Sequence, residues 1–241
     1  MSSWLRDLER LRDGGQACVI VTVAASKGST PREAGAKMLV TADAIHGTIG
    51  GGHLEFKAIE IARDLLHAEG AVGARSMQRF PLGASLGQCC GGLATLLFEP
   101  VPRSRADWVS VLARWERDGM PCVMVTPAHG DAERKLLVAK SDTRGTLANP
   151  ALEEQAIAIA RQMLDSAANE SRLVALDATG SESSQPALML FETVRPSDFR
   201  IVLFGAGHVG RALVSALSGL RCDITWPIVA MPSFRVRFPA T

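Results

Sequence analysis

The sequence predicts an α/β fold: a mixed-sheet N-terminal domain over residues 1–195, followed over 196–241 by the first strand and helix of an incomplete second unit. Three observations predict it. Apolar, β-branched runs alternate with segments of helical periodicity along the whole chain. Glycine clusters fall at the junctions where a strand pattern gives way to a helix pattern. The hydrophobic share is 47%, enough for a sizeable core in 241 residues.

Each element follows in order. Residues 3–13 set Trp4, Leu8 and Leu11 on one helical face, with Leu5 beside it. "ACVIVTVAAS" (17–26) is a continuous β-branched run, as in a buried strand. "KGSTPREAG" (27–35) is a loop by its glycines, proline and serine. Residues 36–41 and 45–52 read as strands, the second ending in three glycines. A helix over 53–67 lines up Leu54, Ala58, Ile61, Leu65 and Leu66. Strands at 74–80 and 92–98 flank a loop with two adjacent cysteines. Ser104 is placed to cap a helix through Trp108, Leu112 and Trp115. Strands follow at 121–127 and 134–140. Asn149 and Pro150 open a helix to residue 164, with Glu153 and Glu154 in its first turn. Strands at 172–177 and 187–194 complete the larger domain, and "RPSDF" (195–199) reads as a linker. Residues 200–220 are strand, glycine turn and helix, and the proline-containing tail reads as irregular. No internal repeat is evident.

Charge and cysteine usage narrow the class. Lys plus Arg is 26 and Asp plus Glu is 25, a balance that argues against a nucleic-acid surface or a polybasic membrane anchor. The first residues carry charge and lack an apolar secretory core, and no stretch reaches the ~18 apolar residues of a membrane span. Five cysteines, odd in number and unevenly spaced, predict reduced thiols. Cys18, Cys122 and Cys222 lie in apolar strand-like runs and read as core residues. The expectation is a cytoplasmic protein.

Four loops carry groups suited to chemistry. In "GTIGGGHLE" (47–55), Gly50, Gly51 and Gly52 let backbone approach a ligand, and the following helix start offers amides to an anion such as phosphate. The same glycines also make a tight turn with no ligand. The loop at 26–35 supplies hydroxyls from Ser26, Ser29 and Thr30, with Lys27 and Arg32 as cations. His53 stands at the helix start. In "LGQCCGG" (86–92), Gln88, Cys89 and Cys90 sit among glycines, where a thiol can be held as thiolate and offered to a soft metal. The pattern argues against zinc there, since a tetrahedral site wants four ligands and no second cysteine pair exists. "GAGHVG" (205–210) follows a strand and opens a helix, the context of a dinucleotide fingerprint, with Gly205, Gly207 and Gly210 as its glycines. The acidic ribose partner due about 20 residues later is missing; Trp226 and Pro227 stand there.

"SKGSTPREAGAKMLV", "GTIGGGHLE" and "LGQCCGG", with "VLFGAGHVGRAL" behind them, resemble the XdhC/CoxI family, accessory proteins of molybdenum enzymes such as xanthine dehydrogenase. The resemblance is specific over 17–100 and 200–226, diffuse between, and breaks after Trp226. It implies a non-enzymatic chaperone that binds and protects molybdenum cofactor (molybdopterin), assists its sulfuration with a cysteine desulfurase, and delivers it to an apo xanthine dehydrogenase or related molybdenum hydroxylase. It implies contacts from Ser29, Thr30, Arg32, Gly50–Gly52, His53 and Gln88. Cys89 and Cys90 would face or hold the molybdenum, and Gly205, Gly207 and Gly210 would begin a Rossmann-like unit. A homodimer is possible. Two competitors stand beside it: an NAD(P)-dependent oxidoreductase resting on GAGHVG, and an inactive remnant whose half-built second unit exposes apolar surface.

Overall fold

The computed structural model describes residues 3–67, 74–83, 91–102, 107–166, 168–177, 186–195, 199–205, 207–217, 222–226 and 234–238. The pair Cys89 and Cys90, Gln88 and the capping residue Ser104 lie outside them.

Helix α1 (Ser3–Asp13) leads into β1 (Cys18–Lys27), β2 (Lys37–Val40), β3 (Ile45–Gly47), α2 (Gly52–His67), β4 (Ala74–Pro81) and β5 (Leu93–Val101). The next stretch runs α3 (Asp107–Arg117), β6 (Cys122–Pro127), the short β7 (Gly130–Asp131), β8 (Lys135–Ala139), β9 (Thr143–Thr146), α4 (Pro150–Asp165), β10 (Ser171–Leu176) and β11 (Ala187–Val194). Strands β1–β5 form one sheet in the order β3-β2-β1-β5-β4, with β7 added at its edge; the second sheet runs β10-β11-β6-β8-β9.

These two series are the same fold twice, which corrects the expectation of no internal repeat. Reading each sheet from the same end, β3-β2-β1-β5-β4 matches β9-β8-β6-β11-β10 strand for strand. Helices α1 and α3 have 11 residues each, and α2 and α4 have 16 each. The sequence repeats in step: "CVIVTV" (18–23) with "CVMVTP" (122–127), "LVTADAIHGTIGGGHLE" (39–55) with "LVAKSDTRGTLANPALE" (137–153), and "LFE" (97–99) with "LFE" (190–192). The halves fall out of register after the first strand, where the connection to the next spans 28–36 in the first half and the shorter 128–134 in the second, and again between the outer helix and the last strand, where the second half is shorter. Every ladder within these sheets is antiparallel, so they are not mixed as expected.

The alternation along β1 sorts its side chains between two cores. Val19, Val21 and Val23 pack with Leu54, Ala58 and Ala62 of α2. Cys18 and Ile20 point the other way, into a cluster shared by both halves. That cluster pairs like with like: Leu8 with Leu112, Leu11 with Trp115, Cys18 with Cys122, Leu39 with Leu137. The second sheet buries Val123 and Val125 against Leu152, Ala156 and Ala160 of α4. Each sheet therefore has its own outer helix, while α1 and α3 fill the common centre. Burial pushes the thiols of Cys18 and Cys122 up to about 12, aided by Glu99 and Glu116 respectively, so both are inert core groups.

Ion pairs cross between the halves inside this centre. Lys37 of the first half binds Glu192 of the second at 2.7 Å, and Lys135 of the second binds Glu99 of the first at 2.7 Å. Each lysine also lies over the tryptophan of its own half, Trp4 at 5.3 Å and Trp108 at 3.9 Å. Such reciprocity is the signature of a two-fold interface, here within one chain. The arrangement is not fully symmetric. Glu99 has a second cation, Arg75, at 2.9 Å. The Arg75 guanidinium also donates to the carbonyls of Asp131 and Ala132, tying down the second half's loop. Burial opposes ionisation of Glu99, but Lys135 and Arg75 outweigh it and hold its carboxyl down to about 2. Burial likewise draws Lys135 down to about 8 against the pull of Glu99.

The remaining residues form β12 (Arg200–Val202), α5 (His208–Leu217), β13 (Cys222–Trp226) and β14 (Phe234–Phe238). Strands β12 and β13 are parallel with α5 between them, a β-α-β unit. The tail read as irregular contains β14, which pairs antiparallel with β13 through Cys222↔Phe238 to Trp226↔Phe234. Phe199, Val202, Phe204, Val209 and Leu213 of this unit are exposed.

Candidate functional site

The site is built where three first-half loops meet. Lys27 closes the β1–β5 ladder opposite Leu93, and one step further the Gly92 amide donates to the Ser29 carbonyl at 3.0 Å. A Cβ on Gly92 would lie 2.2 Å from that carbonyl oxygen, so only glycine permits the approach. On the other side, a Cβ on Gly50 would lie 2.3 Å from the Cβ of Pro31 and 3.2 Å from the Cγ of Arg32. The segment 27–32 is thus seated between the glycine triplet and the root of the cysteine loop. The Leu82 amide donates to the Gly92 carbonyl at 2.9 Å, and Gly83 and Gly91, which bracket Cys89 and Cys90 in the sequence, lie side by side. The expected residues Ser29, Thr30, Arg32 and Gly50–Gly52 therefore converge, with His53 starting α2.

One expectation needs correction. The amides of Ile49, Gly50 and Gly51 are taken by the protein itself. Glu55, four residues into α2, folds its carboxylate back to accept from the amides of Ile49 and Gly51 at 3.0 Å, and from the Thr48 hydroxyl. The Gly50 amide donates to the Thr48 hydroxyl at 3.0 Å. An internal carboxylate already fills the anion seat at the positive end of the helix. The second half repeats the device: Glu153 accepts from the Leu147 amide and the Thr146 hydroxyl, and the Ala148 amide donates to Thr146. There the turn is made by Ala148, Asn149 and Pro150, with Asn149 capping the helix. The signal was in the sequence as a threonine and a glutamate at matching places in "GTIGGGHLE" and "GTLANPALE".

A three-glycine run is thus not needed to turn strand into helix. Gly50, Gly51 and Gly52 all have positive φ, whereas the second half has only Ala148 there, at 58°. Gly50 makes room for Pro31, and Gly51 faces open space. Side-chain charge is also available to an anion beside this turn. Lys27 and Arg32 are exposed and have no ion-pair partner among the described residues. The Thr30 hydroxyl donates to the Arg32 carbonyl at 3.1 Å and shapes the turn that presents them. Phe56, which sequence reasoning missed, is 56% exposed and stands edge-on to His53, with ring centroids 6.3 Å apart. The matching positions of the second half hold Ala151 and Glu154.

The second glycine turn is a separate feature. A Cβ on Gly210 would lie 2.4 Å from the Gly205 carbonyl, the close helix-to-strand packing that its position demands. Trp226 lies over the same turn, its indole N–H donating to the Gly205 carbonyl at 2.9 Å. The end of the second strand, where a dinucleotide's ribose partner would stand, is therefore occupied by an indole bonded to the turn. Gly205 and Gly207 have open space around them. No group of three or more potential metal ligands occurs among the described residues. No described helix is long and apolar enough to cross a membrane.

The fold and this loop cluster define the class: a duplicated antiparallel α/β protein whose first half carries a cluster of converging loops. The model of the XdhC and CoxI family matches residues 11–80, a stretch that includes the 27–35 loop and the glycine triplet. Among solved structures the chain is similar to a crystal structure described as a xanthine dehydrogenase from Bacillus halodurans. The TM-score is 0.66 at 20% identity, over 94% of this chain and 62% of that one. The likeness extends the shared fold well beyond the family match, and the chain spans less than two thirds of that protein. No curated protein matches the chain.

Proposed function

We propose that the first-half loop cluster binds molybdenum cofactor and that the protein acts as its carrier, without turnover of its own. It would shield the cofactor, support its sulfuration by a cysteine desulfurase, and pass it to a xanthine dehydrogenase-type hydroxylase. The observation that carries this reading is the seating of segment 27–32 between Gly50 and Gly92, with that segment and Gly50 inside the stretch that matches the XdhC and CoxI family.

The available groups fit the cofactor's parts. Its phosphate suits Lys27 and Arg32, with the hydroxyls of Ser29 and Thr30 nearby, in place of the amides that Glu55 occupies. The exposed rings of Phe56 and His53 offer a face to a flat heterocycle. Cys89 and Cys90 lie between Gly83 and Gly91 in the sequence and are assigned to the molybdenum end, where they would hold or cover the metal. When bound, the cofactor supplies the redox-active metal; the chain's own residues bind, orient and exclude water.

The test is direct. The protein is incubated with cofactor released from a molybdenum enzyme, then passed through gel filtration with metal analysis of the protein peak. Co-elution of molybdenum and pterin fluorescence with the protein is expected. Free elution of both would overturn the reading.

A further inference from the structure

We propose that Glu192, which belongs to the second half, is a positioning residue for the ligand loop of the first. The loop of residues 28–36 runs straight into Lys37, the first residue of β2. The Lys37 ammonium donates to both carboxylate oxygens of Glu192, at 2.7 and 2.9 Å, and to the Thr22 hydroxyl at 2.9 Å. Both charged side chains are 6% exposed, so the pair is held away from competing water. Two residues earlier, a Cβ on Gly35 would lie 2.5 Å from the Ser171 hydroxyl of β10. The second half thus presses on the loop at Gly35 and grips it at Lys37, while Gly50 and Gly92 bear on its other end.

The duplication supplies the control. Lys135 and Glu99 form the mirror pair, and the second half's loop, 128–134, runs into Lys135 in the same way. That loop has a further tether, since Arg75 donates to the Asp131 and Ala132 carbonyls. The place of Arg75 is taken in the second half by Ser171, by register with Phe98 and Phe191 in the two hairpins. Serine is too short to make the same two bonds. Beside its backbone bonds, in which the Gly35 amide donates to the Val23 carbonyl and the Val23 amide to the Ala36 carbonyl, the first-half loop has Lys37 and Glu192 where the second-half loop has three charged groups.

The ligand part of this inference rests on the site reading above; the loop part does not. The test uses the full chain with Glu192→Gln, and with Glu99→Gln as the mirror. Lys27 and Arg32 are exposed trypsin sites within or beside the loop, so brief digestion with mass analysis reads the loop alone. Cleavage after these residues is expected to rise about tenfold in Glu192→Gln, in proportion to the open population, and to stay at the parent rate in Glu99→Gln. Gly35→Ala, which pushes the loop from Ser171 without unpairing a buried charge, is expected to raise it as well. Equal cleavage in Glu192→Gln and the parent, or an equal rise in both mirror variants, would overturn the proposal. Cofactor retention is read on the same samples. Faster cleavage with unchanged retention would keep the clamp and sink the site; lost retention with unchanged cleavage would sink the clamp.

Discussion

The two halves solve the same folding problem with different residues, and the differences separate structure from function. What they share is scaffold: the threonine and glutamate that close each strand-to-helix turn, the cysteine that opens each central strand, the lysine over each tryptophan. What only the first half has is a longer loop with Lys27 and Arg32 at its start, both without an ion-pair partner among the described residues, a run of three glycines, and an exposed histidine–phenylalanine pair. Read alone, Gly50–Gly52 before a helix looks like an anion seat. Read beside Ala148–Pro150, the turn is common property and the glycines serve the neighbouring loop.

The largest expected effect breaks the symmetry of the buried charges. Lys37→Met leaves Glu192 with no cation, and a loss of about 3–5 kcal/mol in urea unfolding is expected. Lys135→Met leaves Glu99 with Arg75, and about half that loss is expected. Equal losses would mean that the two centres are energetically alike.

Acid should act through the same centre. Glu99 has its carboxyl held down to about 2 against an ordinary 4.5, so the unfolded chain takes up that proton first on acidification. The stability it contributes is complete above pH 4.5 and is lost as pH falls toward about 2, a change of about 3 kcal/mol. Melting temperature measured across this window should fall less in Glu99→Gln than in the parent.

A smaller effect tests the shared turn. Glu55→Gln and Glu153→Gln should each cost about 1 kcal/mol of stability, because each weakens the closure of one helix start. Thermal melting of the two variants should be alike; a far larger loss for Glu55 would give the first-half carboxylate a further task. The smallest effect concerns Ala148, the one non-glycine residue with positive φ among the described residues. Ala148→Gly relieves that strain and should raise stability by a few tenths of a kcal/mol, seen as a small rise in melting temperature.

Much of this was legible in the sequence. Periodicity placed the five helices, and Asn149–Pro150 marked the start of α4 because the cap and the proline act locally. The buried roles of Cys18, Cys122 and Cys222 followed from their strand context. The duplication was not legible, because its identities are scattered and the unequal loops break the register. Strand β9 was missed because "TRGT" carries little apolar alternation and is made a strand by its partner, whereas "FRVRF" of β14 alternates strictly and was hidden by the prolines on either side of it. Within the site, the convergence of the 27–32 segment with Gly50 was foreseeable only as an association of motifs. That Glu55 holds the amides, and that Trp226 closes the second glycine turn, depends on side chains reaching back along the chain.

The central claim is that ligand binding belongs to the first half and works through Lys27 and Arg32. The measurement that tests it most directly is molybdenum cofactor retention, by gel filtration and metal analysis, in the variant Lys27→Ala/Arg32→Ala beside one altered at the second half's loop, Arg134→Ala. Loss of about tenfold or more in retention for the first variant, at unchanged melting temperature, with full retention in the second, is the predicted result. Undiminished retention in the Lys27→Ala/Arg32→Ala variant would contradict it.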